Sequence, residues 1–409
     1  MPHRKSGIST IVTHHAEEFN DLGAHITPIY QTSAFRFPDV ETGAAIFQNQ
    51  QPGYYYTRIE NPNQRQVVRK IAALEAIDLP TNSTTEDGCS VDGHLFASGM
   101  GAISAAILGC LKCGDKMIAQ QNLYGATYNF LHQLSQQSGI EIIWLDRGSI
   151  PEWEQAFQHH PDAKLAYAET PTNPNLSLID LQAVAKIAIQ NNAWLMVDNT
   201  FASPYCQRPF NLGADIVLHS TTKYLCGHGT VIGGIVLSTH LDWVKESLWN
   251  QLKLYGASPS PFDAWLTHLG LKTFELRMER HCENARTIAN WLQEHPKIDL
   301  VHFPGLPHHP GHEIAKRQMV AFGGMVACEL KGGYSTAIEF MNNVKLFALV
   351  PTLGNVDSLI QHPASMSHVN VPVEDRLRAG ISDGLIRLSV GIENVEDLID
   401  DLIQAFDTI

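Results

Sequence analysis

One lysine stands in a segment whose neighbours suit covalent chemistry with a carbonyl compound. The segment HSTTKYLCGHGT covers residues 219–230 and follows an apolar run typical of a buried strand. Lys223 comes directly after a Ser-x-Thr pair, Ser220 and Thr222. A lysine amine can form a Schiff base, and two hydroxyl groups can bind an anion beside it. A surface lysine in a polar loop would show the same spacing, so this segment alone leaves both interpretations open.

A carboxylate closes another apolar run, WLMVDNTFASP. Asp198 lies at the end of this predicted strand, where an unpaired carboxylate would be costly to bury. It therefore needs a cationic partner, and a protonated pyridine nitrogen is one candidate. A helix cap or a turn aspartate would explain the position equally well.

A glycine-rich turn joins a third predicted strand to a helix in FASGMGAIS, at 96–104. Such a turn presents free backbone N–H groups to a phosphate. The pattern is neither GxGxxG nor a Walker loop, and taken alone it is more typical of a tight packing turn. Together, however, a phosphate site, a pairing aspartate and a Schiff-base lysine, in this order on one parallel sheet, predict a pyridoxal phosphate site.

Strands and helices alternate around these three segments. Apolar runs such as KMIAQ, KLAYAET, AWLMVDN and ADIVLHS predict buried strands, with helices between several of them. The alternation predicts an α/β fold with a mainly parallel sheet, which binds ligands beyond the carboxyl ends of its strands. A Pro- and Ser-rich joint at 258–261 precedes a second, smaller α/β region.

We therefore expect three units along the chain. Residues 1–63 form an N-terminal arm with one short helix at 40–48, residues 64–257 the cofactor-binding domain and residues 258–409 a smaller C-terminal domain. Within the second unit, a helix at 64–77 is followed by a polar stretch at 79–94 without apolar periodicity. We expect that stretch to be an exposed insertion.

The composition disfavours several kinds of partner. Lys and Arg total 28 and Asp and Glu total 42, a net charge of −14, which argues against nucleic acid or an anionic membrane. No apolar run approaches the roughly 20 residues of a membrane helix. The start, MPHRKSGIST, lacks the apolar core of a secretory signal, and seven scattered cysteines suit a reducing compartment, so we expect a cytoplasmic protein.

None of the 20 histidines forms HExxH, and we expect surface or loop histidines and no metal site.

Nine runs of the sequence carry a resemblance to a known family. They extend from about residue 20 to the C-terminus: YYYTRIENPN, FASGMGAI, NLYGATYNF, ETPTNPN, VDNTFASPY, HSTTKY, PGLPHHP, LGNVDSLIQHPASMSH and GLIRLSVGIE. The chain resembles the pyridoxal-phosphate (PLP) enzymes of cysteine and methionine metabolism. These include cystathionine γ-synthase, cystathionine γ- and β-lyases, methionine γ-lyase and O-acylhomoserine sulfhydrylase. The resemblance implies a fold-type I, aspartate-aminotransferase-like architecture with PLP as cofactor.

The resemblance also implies a role for each cofactor-binding residue. Lys223 would hold the cofactor covalently and shuttle protons once the substrate has freed it, and Asp198 would keep the ring nitrogen protonated. The phosphate would be bound by two backbone amides and two hydroxyl groups, from Gly99, Met100, Ser220 and Thr222. Tyr56 and Arg58 would reach that phosphate from a neighbouring subunit. We therefore expect a homo-oligomer, a dimer with shared active sites that assembles into a tetramer.

Four residues would act nearer the substrate, a small amino acid. By resemblance, Tyr124 would stack on the cofactor ring and help to move protons, and Asn173 would approach the ring hydroxyl. Arg387 would clamp the substrate carboxylate bidentately, a geometry that lysine cannot copy. Because Arg387 lies inside the apolar strand LIRLSV, we expect an anionic partner for it, either the substrate or a protein carboxylate. Thr352 would also contact the substrate.

The choice of substrate depends on one short stretch and on the balance of motifs. Relatives that act on cystathionine tend to carry Glu where this chain has Pro351, in LVPTLGN, so an uncharged substrate side chain is favoured. Most motifs are closest to methionine γ-lyases, although Ala126 replaces a typical Cys and Leu254 follows Lys253 in place of Asp. The run HGTVIGG is closer to O-acylhomoserine sulfhydrylases.

We therefore expect γ-elimination or γ-replacement on a homoserine-derived amino acid, with methionine cleavage to 2-oxobutanoate, ammonia and thiol as the first hypothesis. The alternatives are O-acetylhomoserine sulfhydrylase and cystathionine γ-synthase or γ-lyase. A catalytically idle PLP-binding homologue is a hypothesis of another class, although the expected Lys, Asp and Tyr are all present. An unrelated Rossmann protein is disfavoured because no dinucleotide fingerprint follows the first strand.

Overall fold

A computed structural model describes residues 6–17, 20, 22–48, 50–80, 88–369 and 371–409. Within these ranges, two sheets organise the chain. The larger sheet contains seven strands: β1 (Asp92–Phe96), β2 (Lys116–Gln120), β3 (Glu141–Leu145), β4 (Leu165–Glu169), β5 (Trp194–Asp198), β6 (Ile216–His219) and β7 (Gly234–Ser238). The smaller sheet contains five: β8 (Ile298–His302), β9 (Met325–Leu330), β10 (Ala348–Leu349), β11 (Leu359–Gln361) and β12 (Leu385–Ser389).

The order of the large sheet is β1-β7-β6-β5-β4-β2-β3. Every pair is parallel except those of β7, which runs antiparallel to both β1 and β6. The prediction of a mainly parallel sheet is confirmed. Because β4, β5 and β6 are parallel neighbours, their carboxyl ends lie side by side at one edge, and Glu169 is the register partner of Asp198.

Helices cover both faces of the large sheet and one face of the small one. Those of the first two thirds are α1 (Ile8–His14), α2 (Val40–Phe47), α3 (Pro62–Glu75), α4 (Gly99–Cys110), α5 (Gly125–Ser138), α6 (Ile150–His159), α7 (Leu181–Gln190), α8 (Ser203–Cys206), α9 (Leu241–Trp243) and α10 (Trp249–Tyr255). A single-turn 3-10 helix covers Pro209–Leu212, and a π turn, Val244–Leu248, joins α9 to α10. The remainder are α11 (Pro261–Leu271), α12 (Phe274–Gln293), α13 (His312–Gln318), α14 (Gly333–Asn343), α15 (Val373–Arg378) and α16 (Val395–Phe406).

Local sequence signals fix the helix ends nearest the strand edge. The side chain of Ser98 accepts a hydrogen bond from the Gly101 N–H at 3.0 Å and so caps the start of α4. Helix α3 begins with Pro62 after the cap Asn61, and α5 ends at Ser138, just before Gly139, whose φ of 68° suits glycine. These caps place the start of α4 directly beyond the end of β1.

Two large apolar cores involve the large sheet and a third involves the small sheet, and α12 joins one of the first two to the third. The first turns of α12 place Phe274 and Met278 in one core of the large sheet, and later turns place Ile288 and Leu292 in the core of the small one. Helix α11 packs on α3 from the other side of the predicted joint. The boundary at 257/258 remains our proposal.

The N-terminal arm is more ordered than the sequence suggested. The short helix at 40–48 is confirmed as α2, but we missed α1, whose Ile11 and Val12 are buried against α3 and α12. Ile8, Ile11 and Val12 do have the i, i+3, i+4 spacing of a helix, but seven residues are fewer than the window over which a helical period can be recognised. Glu17 anchors the arm, because its carboxylate is 2.9 Å from Lys70 Nζ and 2.8 Å from Lys272 Nζ.

Two boundaries near the polar insertion were also displaced. The helix predicted at 64–77 spans Pro62–Glu75, and β1 begins at Asp92, inside the stretch assigned to the insertion at 79–94. The centre of that stretch, 81–87, lies outside the described residues. Asp92 is ion-paired with Arg65 at 2.6 Å, so a polar residue starts the strand.

The expectation that histidines lie at the surface or in loops was wrong for three buried histidines, His219 in β6, His268 in α11 and His281 in α12. The buried His309, His362 and His368 do lie in loops. A neutral imidazole can be buried when a ring nitrogen finds a partner: His281 Nδ1 donates to the Val390 carbonyl at 2.7 Å, and burial lowers the pKa of His281 to about 4. Among the described residues, no cluster of three or more His, Cys, Asp or Glu side chains could hold a metal ion, and no helix is long and apolar enough to cross a membrane.

Candidate active site

A cavity of about 270 Å³ opens beyond the carboxyl ends of β4, β5 and β6. Segments that are far apart in the sequence meet there, including the start of α4, the loop before α5 and strand β12. Nine of the predicted site residues line this cavity: Gly99, Met100, Tyr124, Asn173, Asp198, Ser220, Thr222, Lys223 and Arg387. The other three predicted residues, Tyr56, Arg58 and Thr352, do not contribute to its lining.

Lys223 projects into the cavity from the turn after β6. Its Nζ donates a hydrogen bond to Thr352 Oγ1 at 2.8 Å. Burial, and then the positive charge of Arg387, lowers the pKa of the Lys223 ammonium to about 8 from its usual 10.5. A larger fraction of the amine is therefore neutral near neutral pH, which is the form that attacks a carbonyl carbon.

The start of α4 and the turn after β6 form a cradle for an anion. The N–H groups of Gly99 and Met100 lie in the first helical turn, where the helix offers them no carbonyl acceptor. A Cβ at position 99 would come within 2.9 Å of Ser220 Cβ, so only glycine allows this approach. Thr222 Oγ1 accepts from the Gly233 N–H at 3.0 Å, which fixes its hydroxyl beside the same helix start. Amides and hydroxyls of this kind suit a phosphate group.

Asp198 is buried at the end of β5, with its carboxylate facing the cavity. Its Oδ1 accepts a hydrogen bond from the Thr200 N–H at 3.0 Å, and burial raises the pKa of the carboxyl group. Within the described chain, no Lys or Arg forms an ion pair with it. A cation bound in the cavity would supply that missing partner, as the sequence analysis expected.

Glu169, at the end of β4, is a site residue that the sequence analysis missed. It lies beside Asp198 and is only 4% exposed. Burial, followed by the negative charge of Asp198, raises the pKa of Glu169 to about 8. The sequence did contain a signal for Glu169, because this residue follows the apolar run of KLAYAET just as Asp198 follows that of WLMVD.

Arg387 is held in the middle of β12 by neutral oxygens. Its Nη1 donates to Asn173 Oδ1 at 2.8 Å and its Nη2 to the Thr352 carbonyl at 2.9 Å, while its buried Nε has no partner. Burial lowers the pKa of Arg387 to about 10. No protein carboxylate pairs with it in the described residues, which leaves the carboxylate of a bound substrate as the predicted partner.

Aromatic and arginine side chains lie at the outer side of the site. Tyr124 stands at the start of α5, 42% exposed, and lines the cavity. The Arg58 guanidinium lies 5.3 Å from the Tyr56 ring centre and donates to the Lys253 carbonyl oxygen. Tyr56 and Arg58 are thus near each other but outside this cavity, and their service to a neighbouring subunit remains a prediction.

A nucleophilic lysine, an anion cradle and an unpaired buried carboxylate are the groups that PLP needs, and they are arranged around one cavity. On this fold they define a fold-type I PLP-dependent enzyme. The chain belongs to the family of Cys/Met metabolism PLP-dependent enzymes, whose model matches residues 9–407. The fold class and the cofactor inferred from the sequence are thereby confirmed.

Individual relatives cover almost the whole chain. It is 45% identical to an L-methionine gamma-lyase of Fusobacterium nucleatum subsp. nucleatum over 411 residues, which is 100% of both chains. It is also 45% identical to an L-methionine gamma-lyase of Porphyromonas gingivalis, covering 99% of this chain and 98% of the relative. A solved structure of cystathionine gamma synthase from Xanthomonas oryzae pv. oryzae, in complex with aminoacrylate and cysteine, superposes with a TM-score of 0.90 at 36% identity, covering 99% of this chain and 100% of that one.

Proposed function

We propose that the protein catalyses γ-elimination of L-methionine to 2-oxobutanoate, ammonia and methanethiol. One observation supports this proposal most directly. The cavity contains Arg387, which has N–H donors left for a substrate carboxylate, and beside it lies a wall of uncharged side chains. Pro351 and Leu353 line the cavity on either side of Thr352, whose two oxygens hold Lys223 and Arg387. A methionine thioether matches this wall, whereas the charged distal end of cystathionine would lose its hydration there without a partner.

Each residue has a distinct task in the proposed reaction. The cofactor, when bound, supplies a ring that accepts the electrons released when the Cα–H bond breaks. Lys223 Nζ, poised by its lowered pKa, takes that proton and moves it between carbon positions. The Tyr124 hydroxyl supplies the proton that the leaving sulfur needs. Arg387 fixes the substrate carboxylate, and Asp198 holds the positive charge of the ring nitrogen.

γ-Replacement on an O-acylhomoserine is the second candidate. Ile232, in the run HGTVIGG that is closer to sulfhydrylases, lines the cavity and is 65% exposed. It therefore lies where an incoming thiol would enter. Whether a nucleophile or water meets the unsaturated intermediate decides between the two outcomes.

The test is product analysis with three substrates. Purified holoenzyme receives L-methionine, O-acetyl-L-homoserine with sulfide, or L-cystathionine, with Lys223→Ala as the inactive control. We expect the kcat/KM for methionine to be at least about tenfold above that for cystathionine. Pro351→Glu should reduce this ratio, because the new carboxylate can pair with the distal ammonium of cystathionine, whereas Pro351→Ala should not reduce it. Rapid cystathionine cleavage without turnover of the other two would overturn the substrate assignment, and no turnover at all would favour an idle homologue.

We also propose a cytoplasmic homo-oligomer, a dimer with shared sites that pairs into a tetramer. Tyr56 is 39% exposed and, with Arg58, lies outside the cavity of its own chain. Both side chains are therefore available to bind the cofactor phosphate in the active site of a neighbouring subunit. Free thiols are found at six positions, as expected in a reducing compartment: Cys110, Cys113, Cys206, Cys226, Cys282 and Cys328.

A further inference from the structure

We propose that Glu169 is a positioning residue that couples the cofactor-stacking Tyr124 to the substrate-binding Arg387. The inference rests on the proposed function, because it assigns Tyr124 and Arg387 the roles given above. Glu169 touches neither guanidinium nor phenol. It acts through the backbone of the two loops that carry the site.

Both carboxylate oxygens of Glu169 are used, each by a different loop. Oε2 accepts the N–H of Tyr124 at 2.8 Å, at the start of α5, and Oε1 accepts the N–H of Asn173 at 2.9 Å, in the loop after β4. These residues lie 45 positions before and four positions after Glu169. One carboxylate therefore bridges the two loops that follow the paired strands β2 and β4. Asn122 supports the same junction, since its Nδ2 donates to Thr172 Oγ1 at 3.0 Å and to Asn175 Oδ1 at 2.8 Å.

The contact with Asn173 extends to the substrate site. Asn173 Oδ1 accepts from Arg387 Nη1 at 2.8 Å, so a shift of the Asn173 backbone would displace one of the two oxygens that orient the guanidinium. The contact with Tyr124 extends to the cofactor, since Tyr124 lines the cavity opposite the sheet edge. Glu169 thus lies where the cofactor and substrate subsites meet.

Glu169 itself has little freedom to follow a moving loop. Gln120, buried on β2, donates from Nε2 to the Glu169 carbonyl at 2.9 Å and accepts from the Glu169 N–H at 3.3 Å. On its other side, Glu169 is the register partner of Asp198. A carboxylate fixed on a strand can hold the neighbouring loops in place, as preorganisation of a site requires.

Two acceptor oxygens are needed for this double contact. In Glu169→Gln, the amide oxygen can accept one N–H, but the amide NH2 would face the other N–H and lose that hydrogen bond. In Glu169→Asp, the side chain is one methylene shorter and cannot reach both loops. Each variant therefore removes one of the two Glu169 contacts and leaves the apolar packing of the strand and the Asn122 hydrogen bonds intact.

Glu152 provides a matched control away from the cavity. Its carboxylate also accepts two backbone N–H groups, from Arg147 at 3.2 Å and from Ser149 at 2.8 Å, at the start of α6. Glu152→Gln repeats the same chemical change without touching either subsite. It separates a general loss of loop order from a loss specific to the site.

The experiment compares Glu169→Gln, Glu169→Asp and Glu152→Gln with the wild type. The measurements are the PLP dissociation constant of the cofactor-free protein, the visible circular dichroism of bound PLP and the KM and kcat for methionine. We expect both Glu169 variants to lose about 10- to 100-fold in kcat/KM, with a raised KM, a weaker PLP affinity and an altered dichroism band, and Glu152→Gln to stay within about twofold.

The inference would be overturned if Glu169→Gln and Glu169→Asp kept wild-type PLP affinity, dichroism and KM, and only melted earlier, as Glu152→Gln does. It would also be overturned if their effects added fully to those of Arg387→Lys, because residues acting through one another are not additive. Failure of the methionine assignment would look different. The wild type would then not turn methionine over, while the PLP affinity and dichroism would still decide the role of Glu169.

Discussion

Replacement of Arg387 tests the substrate subsite most sharply. A guanidinium has five N–H donors, and the contacts with Asn173 and Thr352 use one on Nη1 and one on Nη2. Three donors remain, including the buried and unpartnered Nε–H. A carboxylate can take two of them in parallel, and each such charged hydrogen bond contributes about 1.5–3 kcal/mol. Arg387→Ala should therefore cost about 3–6 kcal/mol, or roughly 100- to 10,000-fold in kcat/KM for methionine.

Arg387→Lys isolates the geometric part of this effect. Lysine keeps the positive charge but offers no planar pair of donors, so we expect it to lose one of the two bonds, about 10- to 100-fold in kcat/KM. The assay adds inhibition by L-norleucine, which has no leaving group, and by pentylamine, which also lacks the carboxylate. Arg387→Ala should weaken norleucine strongly and pentylamine by less than about threefold. Equal weakening of both inhibitors, or wild-type kinetics in Arg387→Lys, would refute the carboxylate assignment.

Three further predictions address the lysine, the arm and the oligomer. Because the pKa of Lys223 is lowered to about 8, its amine is neutral above that pH. The rate at which the cofactor-free protein recombines with PLP should therefore rise with pH to a plateau, with a midpoint near pH 8. A midpoint near pH 10 would contradict this prediction. Glu17→Gln leaves the fully buried Lys70 without its carboxylate partner, so the free energy of unfolding should fall by about 3 kcal/mol, seen as a lower melting temperature. Adding Lys70→Met to the same chain should restore most of that stability. An unchanged melting temperature in Glu17→Gln would show that the pair does not anchor the arm. When Arg58→Ala and Lys223→Ala subunits are mixed and reassembled, about half of the random dimers contain one of each, and each such dimer has one intact site out of two. The mixture should therefore recover up to about a quarter of wild-type activity. No recovery after confirmed subunit exchange would exclude a shared site.

The sequence predicted the parts of the fold that bury continuous apolar runs. Strand β2 was placed at its observed limits, and the ends of β4 to β6 within one or two residues, because strands buried on both faces are apolar throughout. The direction of β7 could not be read in the same way, since a buried strand has the same composition whether it runs parallel or antiparallel. Helix α1 was missed because its seven residues are too short to be recognised or to be stable alone, and contact with α3 and α12 stabilises it.

The same distinction explains which site residues were found. Lys223, Asp198 and Arg387 stand out because a charged side chain in or after an apolar run demands a partner. Glu169 ends such a run as well, but its partners are backbone N–H groups from two loops, and backbone partners leave no pattern of residue types in the sequence. The neutral oxygens that hold Arg387 likewise became visible only once β12 and the loop after β4 were brought together in space.

One observation supports every step proposed for this protein: the Lys223 amine, on the turn after β6, and the buried Asp198, which has no Lys or Arg partner among the described residues, line the same cavity. Reduction of the holoenzyme with borohydride, digestion and mass spectrometry of the peptides would show which amine carries the cofactor. The account predicts one pyridoxyl-modified peptide, containing Lys223, and its absence from Lys223→Ala. Modification of a different lysine, or of none, would contradict it.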